Sequence, residues 1–173
     1  RDYASEFRVV DAGGVVAEWV LAPGADPDRR VLYMHGGGFI MGCPASHRTI
    51  TSRFSEVSGC AVLSVDYRLL PEHRHGDCVE DCRAAYRWLL DNGPDGPGPA
   101  RQLYFGGDSA GGNLALSLAA WTRDEDLRSP DAVVVMSPLT DVSFSGASLR
   151  GNWQTDIMLR RVVADTPGNP YAF

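Results

Sequence analysis

Four short apolar runs, at residues 31–34, 61–65, 103–105 and 132–136, constrain the fold of this chain more than any other feature. A strand with one wet face alternates polar and apolar residues, whereas a strand apolar at every position must be covered on both faces. Between these runs lie segments with apolar residues at helical spacing, 47–57, 77–90 and 109–122. In the second of them Val79, Cys82, Ala85, Tyr86, Leu89 and Leu90 share one face. Buried strands alternating with helices predict an α/β fold, a mostly parallel sheet with helices on both faces. Ahead of them, 7–11 and 15–21 alternate polar and apolar around Gly13-Gly14 and predict an antiparallel hairpin at one edge. Residues 23–30 read as a polar loop and 93–100 as a Pro/Gly loop. After Asp141 the alternation fades, although 152–164 has the pattern of an amphipathic helix. The 173 residues suit a single domain, 1–173.

Charge excludes some partners. The net charge is −6 and the basic residues are scattered, which disfavours nucleic acid or an anionic membrane as partner. No apolar run is long enough to span a bilayer, and no apolar stretch follows Arg1-Asp2-Tyr3-Ala4, so a signal peptide is absent or already removed. The four cysteines, Cys43, Cys60, Cys78 and Cys82, lack C-x-x-C spacing. They read as reduced thiols of a cytoplasmic protein, with neither a metal nor a cofactor implied.

Chemistry is concentrated in two motifs. Gly107-Asp108-Ser109-Ala110-Gly111 is a G-x-S-x-G that follows one buried run and opens a helix. This is the strand–turn–helix setting of a nucleophile elbow, in which a strained serine needs small neighbours two residues to either side. A helix beginning at Ser109 also aims the positive end of its dipole at a developing oxyanion. No phosphate-loop pattern competes for these glycines. The second motif, His35-Gly36-Gly37-Gly38-Phe39, follows the run 31–34. Glycines there let backbone N–H groups approach a substrate closely, as an oxyanion hole requires. The partner donor is the amide of the residue after the nucleophile, Ala110.

With Val65-Asp66-Tyr67-Arg68-Leu69-Leu70-Pro71-Glu72-His73 and Ser137-Pro138-Leu139-Thr140-Asp141, these motifs make the chain resemble the bacterial hormone-sensitive-lipase-like esterases of the α/β-hydrolase superfamily. The resemblance runs from about Phe7 to Asp141. It implies a serine carboxylesterase acting on short- to medium-chain carboxylic esters or, as in the monoterpene lactone hydrolases, on lactones. Ser109 would be the nucleophile and Gly37, Gly38 and Ala110 the oxyanion donors. By the same resemblance His35 holds the glycine loop, Asp66, Tyr67, Arg68, Glu72 and His73 brace the loops beneath the site, and Asp108 is a local hydrogen-bonding partner. His47 and His75 carry no motif and read as solvated. The implied partner is a small-molecule ester, and a homodimer stays open.

A serine nucleophile needs a histidine base oriented by a carboxylate, and in this fold the order is Ser, acid, His. All four histidines (His35, His47, His73, His75) precede Ser109. Two readings remain. In the favoured one the sequence is a fragment, with the acid, the base and the last strands beyond it. In the other an earlier histidine is the base and Asp141 the acid. A catalytically silent interaction module is the alternative to an enzyme. Residues 146–173 could form part of a cap, with Trp153, Ile157, Met158 and Leu159 as apolar lining.

Overall fold

The computed structural model describes residues 3–143, 145–152 and 154–157. The chain divides into two compact units, Arg1–Pro138 and Leu139–Phe173. The first contains the whole sheet. Its strands are β1 (Glu6–Asp11), β2 (Val16–Leu21), β3 (Asp26–Met34), β4 (Cys60–Val65), β7 (Gln102–Asp108) and β8 (Ala132–Met136), in the order β1-β2-β4-β3-β7-β8. β1 and β2 form the antiparallel hairpin, and β2 joins β4 antiparallel. The pairs β4–β3, β3–β7 and β7–β8 are parallel. This is the mostly parallel sheet, with an antiparallel hairpin at one edge, that the buried runs and the opening segment imply.

Three helices cover the sheet: α1 (Pro44–Ser58), α2 (His75–Asp91) and α3 (Ala110–Asp124). Phe54 of α1 packs edge-on against Tyr33 and also faces Gly106, whereas Tyr86 of α2 packs edge-on against Phe105. Successive strand residues point to opposite faces, so α1 covers one side of the sheet and α2 the other. Trp121 of α3 meets the same Tyr86, which puts α3 beside α2. Val31, Leu32, Tyr33 and Met34 are all buried, as a strand covered on both faces requires. Burying each such side chain contributes on the order of 2 kcal/mol.

The helix ends follow from local chemistry. Pro44 stands in the first turn of α1, where its missing N–H costs nothing, and Ser46 Oγ accepts from the Cys43 N–H at 3.0 Å. Those two residues start the helix three positions before the 47–57 expected from periodicity. Gly59 ends it in the left-handed conformation, φ 64°, with its N–H on Ser55 O at 2.9 Å.

Two readings of loops are corrected. Residues 23–30 are not all loop, because β3 begins at Asp26 and pairs irregularly with β4 between Asp26 and Arg30. Arg30 is buried there. Its Nη1 donates to Leu89 O at 2.8 Å and its Nε to Pro27 O at 2.9 Å, so a charge that reads as surface is accommodated by fixed carbonyls. The Pro/Gly stretch 93–100 is largely loop, but β5 (Asn92–Gly93) and β6 (Gly96–Pro97) make a minimal hairpin at its start.

In the second unit α4 (Ala147–Gly151) is the helix among the described residues. Of the helix expected over 152–164, the described residues 152 and 154–157 form a turn, in which Asn152 O accepts from Thr155 and Asp156 N–H, while 153 and 158–164 lie outside the described residues. Ile157 is almost fully exposed, and Trp153, Met158 and Leu159 lie outside the described residues. No described helix is long and apolar enough to cross a membrane.

Candidate active site

The parallel pair β3–β7 brings the two motifs together. Met34 pairs with Gly107, so the glycine loop leaving β3 and the serine turn leaving β7 emerge side by side. The first turn of α3 then packs against the end of β3. A Cβ on Gly111 would overlap Met34 O and stand 2.5 Å from His35 O, so only glycine allows this approach. Ser109 is held between β7 and α3 at φ 51°, ψ −117°, outside the common wells of a non-glycine residue. Such a conformation stores on the order of 1–3 kcal/mol. It is fixed by the Ser109 N–H donating to Met136 O at 2.9 Å and by Ser109 O accepting from Asn113 N–H at 3.1 Å.

The glycine loop is tied by its carbonyls. Gly36 O lies 2.8 Å from His35 Nδ1, and Gly37 O accepts from both Ile40 and Met41 N–H at 3.1 Å. Because C=O and N–H of a trans peptide point in opposite directions, the amides of Gly37 and Gly38 turn away from these anchors. Gly37 has φ 126°, and a Cβ there would overlap Met41 O. Among the described residues the N–H groups of Gly37, Gly38 and Ala110 have no acceptor. Gly37 and Gly38 are partly exposed, and Ala110 is the first residue of α3, where the N–H has no partner within the helix, so all three donors are available to a bound group.

His35 is fully buried and stacks on Tyr67 with ring centroids 4.3 Å apart. Burial pushes its pKa down to about 4, so the ring is neutral near pH 7. With Gly36 O an acceptor, its proton sits on Nδ1. Tyr67 reinforces the loop by donating to His35 O at 2.6 Å, and Leu70 N–H donates to Phe39 O at 2.8 Å. The other residues expected to brace the site divide. Arg68 binds both oxygens of Asp81 on α2, the shortest contact being 2.7 Å. Glu72 and His73 are exposed, and so is Asp66.

Asp108 accepts from Tyr33 OH at 2.7 Å and from Gly36 N–H at 3.0 Å, which ties the residue before the serine to the glycine loop. His47, expected to be solvated, is instead largely buried, with Nε2 3.6 Å from Asp108 Oδ2. Sequence reasoning missed it because no motif includes it. The parallel order of β3 and β7 is what brings the start of α1 over the elbow. His75 is also not solvated. It is half-buried and edge-on to Phe39, with centroids 4.9 Å apart. Asp141 belongs to the second unit, where its Oδ1 accepts from Ser143 N–H and Oγ and its Oδ2 from Ser145 N–H and Oγ. Those hydrogen bonds hold its carboxyl down at about 2. No described side chain hydrogen-bonds the Ser109 hydroxyl, and no described group of three or more His, Cys, Asp or Glu could hold a metal.

Residues 31–168 match the family described as alpha/beta hydrolase fold. The chain belongs to the α/β-hydrolase family. It is 39% identical over 158 residues to an acetyl-hydrolase of Streptomyces hygroscopicus, covering 91% of this chain and 50% of that protein. It is 40% identical to the carboxylesterase/phospholipase LipF of Mycobacterium tuberculosis, covering 86% and 40%. Among solved structures, the esterase EstE5 with PMSF superposes at TM-score 0.81 and 40% identity, over 89% of this chain and 51% of that one. An esterase of the bacterial hormone-sensitive lipase family superposes at TM-score 0.82 and 37% identity, over 98% and 59%. The expected resemblance to hormone-sensitive-lipase-like esterases therefore holds. The chain spans about half the length of the curated relatives it matches.

Proposed function

We propose that this α/β-hydrolase is a serine carboxylesterase. Ser109 Oγ attacks the carbonyl carbon of an ester, and the negative oxygen that forms is received by the amides of Gly37, Gly38 and Ala110. The pairing of Met34 with Gly107, which sets the glycine loop beside a serine held at φ 51°, carries this reading. Donors that are fixed before the reaction stabilise developing charge without reorganising, and losing one such donor raises the barrier by roughly 2.7–4 kcal/mol.

The serine proton must pass to a base and then to the departing alkoxide. Water next attacks the acyl-enzyme, returns a proton through the same base and releases the acid. His35 is unsuited to this task, with Nδ1 engaged by Gly36 O and the ring buried. His47 is engaged by Asp108. Since no histidine follows Ser109 in this sequence, we assign the base and its carboxylate to residues it does not contain, in accord with its coverage of half of its relatives. The proposed substrates are esters or lactones with short to medium acyl groups, in keeping with the acetyl-hydrolase among those relatives.

The test is hydrolysis of p-nitrophenyl acetate and longer p-nitrophenyl esters by the full-length protein. Turnover should disappear in Ser109→Ala. Undiminished turnover in that variant refutes the assignment.

A further inference from the structure

The Asp108 carboxylate is where three elements meet. Its Oδ1 accepts from Tyr33 OH of β3 and from the Gly36 amide just after β3, while its Oδ2 faces His47 Nε2 of α1 at 3.6 Å. The protonation of His47 follows from its other nitrogen. Ser46 Oγ accepts from Cys43 N–H at 3.0 Å and gives its single proton to Cys43 O at 2.8 Å. With the Ser46 proton on Cys43 O, His47 Nδ1, 2.9 Å from Ser46 Oγ and 3.4 Å from Cys43 O, faces two acceptors, an arrangement that suits a protonated Nδ1. A neutral ring would then aim its Nε2 lone pair at a carboxylate. The doubly protonated ring replaces that repulsion with an ion pair.

The surroundings agree. The charged or titratable groups facing His47 are Asp108 from β7 and His35 from the end of β3, whose ring centroid is 5.3 Å away. On its own side stand Ser46 and the Cys43 carbonyl. His35 is neutral and does not compete for the carboxylate. The Asp108 carboxylate raises the His47 pKa against the opposing effect of burial. Burial alone would raise Asp108, but His47, Tyr33 and the Gly36 amide outweigh it and hold the carboxyl below its ordinary value.

We infer that His47 is a positioning residue of the oxyanion loop. Its positive charge fixes Asp108, which holds the Gly36 amide and through it the direction of the Gly37 and Gly38 donors. The inference rests on the reading of that loop as an oxyanion hole. It extends that reading by making the loop's geometry depend on the protonation of a residue other than the three donors.

The experiment combines NMR titration of the full-length protein with kcat and KM for p-nitrophenyl acetate across the same pH range. The His47 ring should titrate above the ordinary histidine value, the Gly36 amide shift should follow with the same midpoint, and kcat should fall on the alkaline side at that midpoint. His47→Leu should lower kcat roughly tenfold, with KM changed less than about twofold, and should remove the alkaline fall. His47→Gln, whose amide can donate to Asp108 at every pH, should recover most of the rate without the alkaline fall. A His47 midpoint at or below the ordinary value, a Gly36 amide indifferent to it, or wild-type kcat and pH profile in His47→Leu overturns the inference. The wild-type titrations decide it even where the Leu variant does not fold. A wild type inert toward esters would refute the esterase reading instead, with the coupled titration still deciding the role of His47.

Discussion

Gly111→Ala should be among the most damaging single-methyl changes in this protein. The added carbon would overlap Met34 O and lie 2.5 Å from His35 O, and both are backbone atoms of the central strand's end. An ordinary carbon–oxygen contact is about 0.8 Å longer than the second of these, so α3 or the end of β3 must move by about an ångström. Overpacking against groups that cannot rotate away costs typically 1–3 kcal/mol and occasionally more, and the upper end applies here. At about 2 kcal/mol per molar of urea, a 3 kcal/mol loss shifts the unfolding midpoint by about 1.5 M. The same displacement misplaces Ser109 and the Ala110 amide, and an error of that size lowers a rate on the order of 100-fold. Urea unfolding followed by tryptophan fluorescence, with p-nitrophenyl acetate turnover on the same samples, measures both. Gly76→Ala is the control, because Gly76 lies in α2 with nothing within 4 Å of an added Cβ. It should leave activity intact and stabilise by about 0.5–1 kcal/mol. Equal effects of the two substitutions would refute the claim that close approach of α3 to β3 shapes the elbow.

Other outcomes follow from single contacts. Tyr33→Phe removes the donor to Asp108 Oδ1 and should cost about 1.5–3 kcal/mol in urea unfolding, the usual worth of a hydrogen bond to a charged group. Ser109→Gly frees a backbone that alanine leaves strained, so thermal unfolding should show Ser109→Gly more stable than Ser109→Ala by about 1 kcal/mol or more. The two histidines near the site should have opposite effects on stability with pH. His35 has a folded pKa of about 4, below its unfolded value, so it remains neutral while the unfolded chain takes up a proton. Its contribution to stability should fall as pH drops from about 6.5 toward 4, by up to about 3 kcal/mol. His47 has a raised folded pKa, so its contribution is complete below the unfolded value and lost as pH rises through the folded one. Urea unfolding across pH 4–9, comparing wild type with His35→Asn and with His47→Gln, separates the two.

The order of buried runs and helices was readable because an apolar strand covered on both faces has no polar residue to spare, as at 31–34. The paired motifs were readable because steric demands restrict them to glycine at 37 and 111. What escaped was the work of polar residues whose partners are distant in sequence. Arg30 reads as surface until Leu89 O and Pro27 O surround it, and with it the strand start at Asp26 was missed. His47 reads as a solvated helix residue until the parallel pairing of β3 and β7 sets Asp108 against it. Periodicity also misplaced the start of α1, because Pro44 and Ser46 act through capping rather than through an apolar face.

The most direct test of the central claim is covalent. Full-length protein treated with a fluorophosphonate and mapped by peptide mass spectrometry should carry one adduct, on Ser109, and Ser109→Ala should carry none. An adduct on another residue, or a folded wild type that forms none, would contradict the account.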